Sequence, residues 1–151
     1  MIRFTVPGTP IPQGSMKSFG KGRMVYRDDL KPWRNRVRAE YVRQAGSQTI
    51  EGAVSMRVVF VMPRPDGQYG TGRNTGAIKA SCVDLPCAVK PDLDKLTRAI
   101  GDALTLDTGD LTGLARPFRD DAQITHLDAR KRYVQDWEQP HAQITLAPAY
   151  G

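Results

Sequence analysis

Four aspartates in two short segments carry the chemistry that this sequence offers. The segment Lys90-Pro91-Asp92-Leu93-Asp94 places two carboxylates two residues apart, just before a predicted helix. Pro91 suits that position because proline is tolerated before or at a helix start. In an extended chain, residues two apart point the same way, so Asp92 and Asp94 are predicted to converge. Two like charges held close repel unless a cation lies between them, which favours a hard divalent ion with oxygen ligands.

A second acidic pair, Asp120-Asp121, stands in the segment RDDAQI and is predicted to open the next strand. Adjacent strand residues face opposite ways, so only one of the two should point at a shared site. Three carboxylates with waters suit octahedral Mg²⁺ and do not suit structural zinc. A competing interpretation stays open, because an aspartate at a helix start is often an N-cap and an Asp-Asp pair is often a solvated turn.

The charge distribution indicates what such a site would act on. The chain has 22 Lys and Arg against 16 Asp and Glu, a formal net charge of +6. The window 17–43 holds nine basic and three acidic residues, so it contains the whole excess. Such a window is either a solvated basic helix face or a nucleic-acid footprint. Basic surface binds phosphate and clustered acids bind a metal that activates water, so together they indicate a metal-dependent nuclease.

Length and composition set the context for these motifs. A chain of 151 residues with 40% hydrophobic and 25% charged residues predicts a single domain, 1–151. The sequence contains no apolar run of the ~18 residues that a membrane span needs, and the N-terminus lacks a signal-peptide pattern. These features predict a cytoplasmic protein with no membrane partner. No GxxxxGK[ST] loop occurs, so no nucleotide cofactor is expected, and Cys82 and Cys87 are predicted to be free thiols.

The elements that must position the acids follow from apolar periodicity, and their order predicts an α+β fold, a mixed sheet with two main helices packed against it. Leu30, Trp33, Val37 and Tyr41 share one face of a helix that should stop at Gly46. Asp94, Arg98 and Asp102, spaced by four, form a polar row on a second helix. The predicted elements are strand 2–6, a helix after residue 29, strand 54–62 buried on both faces, a long loop 63–90 that orders on a partner, helix 93–104, strand 121–133 and strand 142–146.

At this point the motifs resemble a known family. KPDLDKLTRAIGDAL followed by RDDAQITHLDARKRY is similar to the RusA family of Holliday junction resolvases, and the opening VPGTPIPQGSMKSF is similar to its phage-type members. The resemblance implies a homodimeric endonuclease that cuts four-way DNA junctions with Mg²⁺ or Mn²⁺. It also implies that Asp92, Asp94 and Asp121 bind the metal.

One position departs from the family pattern. Arg98 stands where a catalytic lysine is expected, and Lys95 stands where asparagine is frequent. Arginine keeps the charge and clamps phosphate, but it is a poor proton donor. Arg98 is therefore expected to stabilise the phosphate electrostatically. Asp102 could orient Arg98, or form only a structural ion pair with it, and Asp120 could be a supporting acid or a cap.

The two-fold symmetry of a junction requires two active sites, which a C2 homodimer supplies. Phe118 and Tyr133 could stack on DNA, but core packing is favoured. Two alternatives remain: a nuclease for other branched or flap DNA, and a junction-binding dimer with weak or no catalysis. The predicted DNA contacts are basic residues in three stretches: Lys17, Lys21, Arg23, Arg27, Lys90, Arg130 and Arg132.

Overall fold

The structure, a computed structural model, describes residues 1–14, 29–105 and 115–150, together with the backbone of two short strands. It confirms the α+β architecture with a mixed sheet and two helices. The elements are β1 (Ile2–Pro7), β2 (Lys17–Ser18), β3 (Met24–Val25), α1 (Leu30–Ala45), β4 (Val54–Met62), α2 (Leu93–Leu104), β5 (Ile124–Tyr133) and β6 (His141–Pro148).

The main sheet has the strand order β1-β6-β4-β5, and β2 pairs with β3 separately. β6 is antiparallel to both β1 and β4, whereas β4 and β5 are parallel. The register aligns Phe4 with Ile144, and Ile144 with Val58, so these buried side chains share one face. Both helices contribute apolar residues to the same core, which places them on that face.

The α1 stripe is confirmed, since Leu30, Trp33, Val37 and Tyr41 are buried and the Tyr41 ring meets Phe4 edge to face at 5.6 Å. The helix ends at Gly46, whose φ of 74° suits a residue without a Cβ.

The prediction that β4 is buried on both faces is wrong for most of its length. Arg57 is exposed and Val59 is only half-buried on the face away from the helices. Val61 is fully buried, so burial on both faces is limited to the C-terminal end of β4.

The loop 63–90 contains three short 3-10 turns, Asp66–Gln68, Gly72–Asn74 and Ala80–Cys82. The buried side chain of Arg64 connects this loop to the end of β5. Arg64 donates to the carbonyl oxygens of Val134, Cys82 and Val83 at 2.8, 2.6 and 3.1 Å, and its guanidinium lies 5.3 Å from the Tyr133 ring centroid. That this loop orders on a partner stays a prediction.

Two smaller expectations concern the cysteines and the membrane. Cys82 and Cys87 are free thiols, as predicted. Among the described helices, neither is long and apolar enough to cross a bilayer.

Candidate active site

Helix α2 has the predicted bounds, Leu93–Leu104, and it presents two different faces. One face is apolar and packs into the core through Leu96, Ile100 and Leu104, all fully buried. The other face borders a cavity of about 690 Å³ between α2 and β5. The cavity is lined by Met56, Leu93, Asp94, Thr97, Arg98, Gly101, Asp121, Ile124, Thr125, Leu127 and Ala129.

Hydrogen bonds from outside α2 fix its position at both ends. Near the start, the Gln13 backbone N–H donates to the Lys95 carbonyl oxygen at 2.9 Å. Near the end, Arg38 Nε donates to the Ala103 oxygen at 2.9 Å and Arg116 Nε to the Thr105 oxygen at 2.7 Å. Arg38 and Arg116 are both buried, and arginine is well placed at a helix C-terminus because the last carbonyls lack helical partners.

The two aspartates of the first segment are placed differently. Asp92 is the N-cap residue of α2, but its side chain makes no capping hydrogen bond and lies 3.9 Å from Lys95 Nζ. Because α2 begins at Leu93, Asp94 is already helical and the argument from an extended chain does not apply to it. Asp94 lines the cavity and Asp92 does not. Metal binding by Asp92 stays a prediction.

The second acidic pair lies at the start of a 3-10 turn, Asp121–Gln123, whose N-cap is Asp120, and not in the strand, which begins at Ile124. The predicted strand start was therefore wrong by three residues. Asp120 Oδ1 accepts the Ala122 N–H at 2.8 Å, while Gln123 Oε1 accepts the Asp120 N–H at 3.1 Å, which together form a capping box. Asp120 thus has the capping role, and Asp121 faces the cavity.

Gln123 also ties the turn to another part of the chain. Its Nε2 donates to the carbonyl oxygens of Ile50 and Gly52 at 3.2 and 2.7 Å. Gln123 is not among the predicted site residues, although its spacing three residues after Asp120 matches the capping-box signature.

Asp121 lies against the third turn of α2. A Cβ added to Gly101 would lie 3.9 Å from the Asp121 Cβ, so the two backbones approach closely. Loss of hydration there raises the pKa of the Asp121 carboxyl, and so do a hydrogen bond with Asp120 and repulsion from Asp102. Arg98 opposes the rise in this pKa. Two further acids therefore act electrostatically on Asp121, and the arginine of the cavity partly offsets them.

The cavity brings together three of the predicted site residues from distant parts of the chain: Asp94, Arg98 and Asp121. Arg98 Nε lies 4.0 Å from Asp102 Oδ2, so the predicted i,i+4 pair forms. Within the described ranges, no three Asp, Glu, His or Cys side chains are grouped closely enough to hold an ion by themselves. Asp94 and Asp121 line the same cavity, and the metal site of three carboxylates stays a prediction.

The predicted DNA contacts divide into three groups. Lys17, Lys21, Arg23 and Arg27 lie outside the residues whose side chains the structure describes. Lys90 is exposed just before α2. Arg130 and Arg132 share a sheet face, as predicted, but strand alternation puts them opposite the cavity-lining Leu127 and Ala129.

Both of these arginines have acidic partners on that opposite face. Arg130 Nε is 3.2 Å from Asp128 Oδ1, and Arg132 makes two bonds to the Glu138 carboxylate at 2.5 and 2.7 Å. Phe118 and Tyr133 are buried in the core, as favoured from the sequence.

A basic chain whose α+β fold gathers two carboxylates and an arginine around one cavity has the features of an enzyme that cleaves nucleic acid. The particular family is identified by a family model, Endodeoxyribonuclease RusA, which matches residues 7–147. The chain belongs to the RusA family, and this membership supports nuclease activity on DNA junctions. No curated protein sequence matches the chain significantly.

Proposed function

We propose that this chain is a Mg²⁺-dependent, structure-specific endonuclease that resolves four-way DNA junctions by paired symmetric nicks. The observation that carries the proposal is the single cavity lined by Asp94, Arg98 and Asp121, which are contributed by α2 and by the turn before β5. Family membership supplies the class of substrate.

The acids of the cavity fit a hard divalent cation. Mg²⁺ is usually bound by one or two carboxylates, with waters and substrate phosphate oxygens completing its octahedron. Asp94 and Asp121 supply two carboxylates, and the described lining of the cavity contains neither cysteine nor histidine, the residues that would favour zinc. Bound there, the ion would neutralise phosphate charge and lower the pKa of the attacking water. Mn²⁺, which takes similar ligands, is the expected substitute.

The protein side chains position the phosphate. Asp94 and Asp121 would hold the cation, while Arg98 would donate to the non-bridging phosphate oxygens. The Arg98 side chain is 73% exposed, so it can reach a backbone that enters from solvent. The contact with Asp102 limits the orientations of the Arg98 guanidinium. A limited orientation favours phosphate binding, because the donors of a guanidinium have a fixed geometry. This role is electrostatic and needs no proton transfer by Arg98.

Two parts of the proposal extend beyond the cavity. Asp92, at the start of α2, becomes a third ligand if its contact with Lys95 is released when DNA binds. A C2 homodimer places two such cavities on one junction, which lets both strands be nicked symmetrically. We place this activity in the cytoplasm of a bacterial or phage-infected bacterial cell.

A cleavage panel tests the proposal. The native chain is incubated with four-way junction, fork, flap and linear duplex, each with Mg²⁺ and with chelator. We expect paired nicks in the junction only, and only with Mg²⁺. Comparable cleavage of forks or flaps would instead identify a general branched-DNA nuclease. Junction binding without nicking in either Mg²⁺ or Mn²⁺ would contradict the enzymatic proposal and leave a binding dimer.

A further inference from the structure

We propose that Lys131 is a positioning residue for Asp92 and Asp94, acting through the backbone that leads into α2. The catalytic consequence of this inference rests on the proposed function. Its structural part is independent of that function and is tested separately.

Lys131 lies on β5 and on the cavity side of the sheet. Thr125, Leu127 and Ala129 line the cavity, and alternation along the strand puts Lys131 on their face. Lys131 therefore lies on the opposite face of the sheet from its neighbours Arg130 and Arg132. The ammonium group therefore points towards α2 and not towards the open face of the sheet.

The Lys131 side chain is bonded to backbone 40 residues earlier in the chain. Its Nζ donates to the carbonyl oxygen of Val89 at 2.5 Å and to that of Pro91 at 2.9 Å. Both acceptors lie in the irregular segment just before the aspartates. Hydrogen bonds from a charged donor are stronger than those between neutral groups, so they restrain these carbonyls more than a neutral side chain would.

The bond to Pro91 acts directly on Asp92. The Pro91 carbonyl and the Asp92 nitrogen belong to one planar peptide unit, so fixing the oxygen fixes the plane from which Asp92 starts. Asp92 is in turn the N-cap of α2, and its carbonyl accepts the Leu96 N–H at 3.1 Å. Asp94 follows within the first helical turn. The Lys131 bond thus sets where the helix begins and where the Asp94 carboxylate lies relative to Asp121.

The experiment compares four forms of the full chain: native, Lys131→Met, Lys131→Arg and Lys79→Met. Methionine keeps an apolar stem and removes the donors, whereas arginine keeps them. Lys79 is an exposed lysine of the 63–90 loop outside the cavity lining, so its variant makes the same change of charge. Junction cleavage gives kcat and KM. Amide exchange of the metal-free protein is followed at Leu96, with Gly46, bonded to the Val42 oxygen, as the distant reference.

We expect Lys131→Met to lower kcat by ~10- to 100-fold with KM changed less than about twofold, since small misplacement of reacting groups has effects of this size. Exchange at Leu96 should accelerate and exchange at Gly46 should not. Lys131→Arg should restore most of kcat, and Lys79→Met should match the native chain in both measurements.

Unchanged exchange at Leu96 in Lys131→Met would overturn the proposal, as would equal kcat values for Lys131→Met and Lys79→Met. If the native chain cuts no junction, the proposed function fails, but the exchange result still decides whether Lys131 positions the start of α2. If Lys131→Met does not fold, Lys131→Leu, which also removes the donors, replaces it, with the same two outcomes.

Discussion

Asp120 and Asp121 are neighbours with opposite tasks. Asp120 is used by the backbone of its own turn, through the Ala122 N–H, whereas Asp121 faces the cavity beside Arg98. Only Asp121 of the pair lines the cavity, and strand alternation, on which the sequence prediction rested, is not the reason. The Asp120 side chain caps a 3-10 turn, and this leaves Asp121 to line the cavity.

This division predicts opposite phenotypes for two single substitutions. Asp120→Ala should lower the free energy of unfolding by ~1 kcal/mol, as the loss of a helix cap does, and leave measurable cleavage. Asp121→Asn should abolish cleavage without that loss of stability. Urea unfolding and junction cleavage of both variants provide the check. Equal losses of cleavage would contradict the assignment of separate roles.

The ion pair between Arg132 and Glu138 predicts a pH dependence of stability. Its hydrogen bonds lower the pKa of Glu138 from 4.5 to about 2. The ionised carboxylate therefore stabilises the folded state above about pH 4.5, and this contribution is lost as the pH falls towards 2. Because the Arg132 side chain is 42% exposed, solvent screening limits the contribution to ~1 kcal/mol.

Glu138→Gln should accordingly be less stable than the native chain at pH 7, with a difference that shrinks between pH 4 and pH 2.5. Glu51→Gln is the matched control, since Glu51 and Arg119 are 74% and 75% exposed and 3.7 Å apart. Urea midpoints across the pH range measure both. A difference that persists unchanged at the lowest pH would show that packing, and not charge, accounts for the loss.

At the scale of elements, apolar periodicity predicted the bounds of the helices closely. It predicted the start of β5, the strand that borders the cavity, poorly. The bounds of α2 follow from its own apolar spacing, which is local information. The start of β5 depends on Gln123 reaching Ile50 and Gly52, more than 70 residues earlier. No local pattern carries such a contact. The same limit applies to Asp92, whose distance from the cavity depends on where α2 begins.

The 63–90 loop depends on Arg64, a residue that the sequence analysis did not single out. Arg64 is only 6% exposed, and its side chain contacts carbonyl and amide oxygens and an aromatic ring. Arg64→Met should therefore leave buried carbonyls unpaired and destabilise the fold by ~1–3 kcal/mol. The 65–85 segment should become more sensitive to limited proteolysis. Arg73→Met, an exposed arginine of the same loop, should change neither property.

At the scale of the whole molecule, some of the basic residues make contacts within the fold. Arg38 is buried against the end of α2, and Arg36 Nη1 donates to the Pro7 carbonyl at 3.1 Å. The basic window 17–43 predicts a solvated helix face or a nucleic-acid footprint, yet these two arginines donate to backbone carbonyls within the fold. Composition alone does not distinguish arginines bonded within the fold from arginines on the surface, because the difference depends on which helix face meets the core.

Salt dependence of junction binding should show which cations contact phosphate. Lys21→Glu and Arg23→Glu should each weaken binding and reduce the slope of log K against log salt by ~0.9. Arg130→Glu should have a smaller effect, because Arg130 lies on the face opposite the cavity and pairs with Asp128. Titration of each variant between low and moderate salt is the measurement. A full-sized change of slope for Arg130→Glu would place DNA on the open face of the sheet.

The central claim is that Asp94 and Asp121 hold a catalytic cation in one cavity, and Asp94→Asn tests it most directly. Junction binding and Mg²⁺-dependent cleavage are measured for the native chain, Asp94→Asn and Asp84→Asn, which alters an exposed loop aspartate outside the cavity lining. The expected result is native binding by all three forms, with cleavage abolished only in Asp94→Asn. Near-native cleavage by Asp94→Asn would contradict the account.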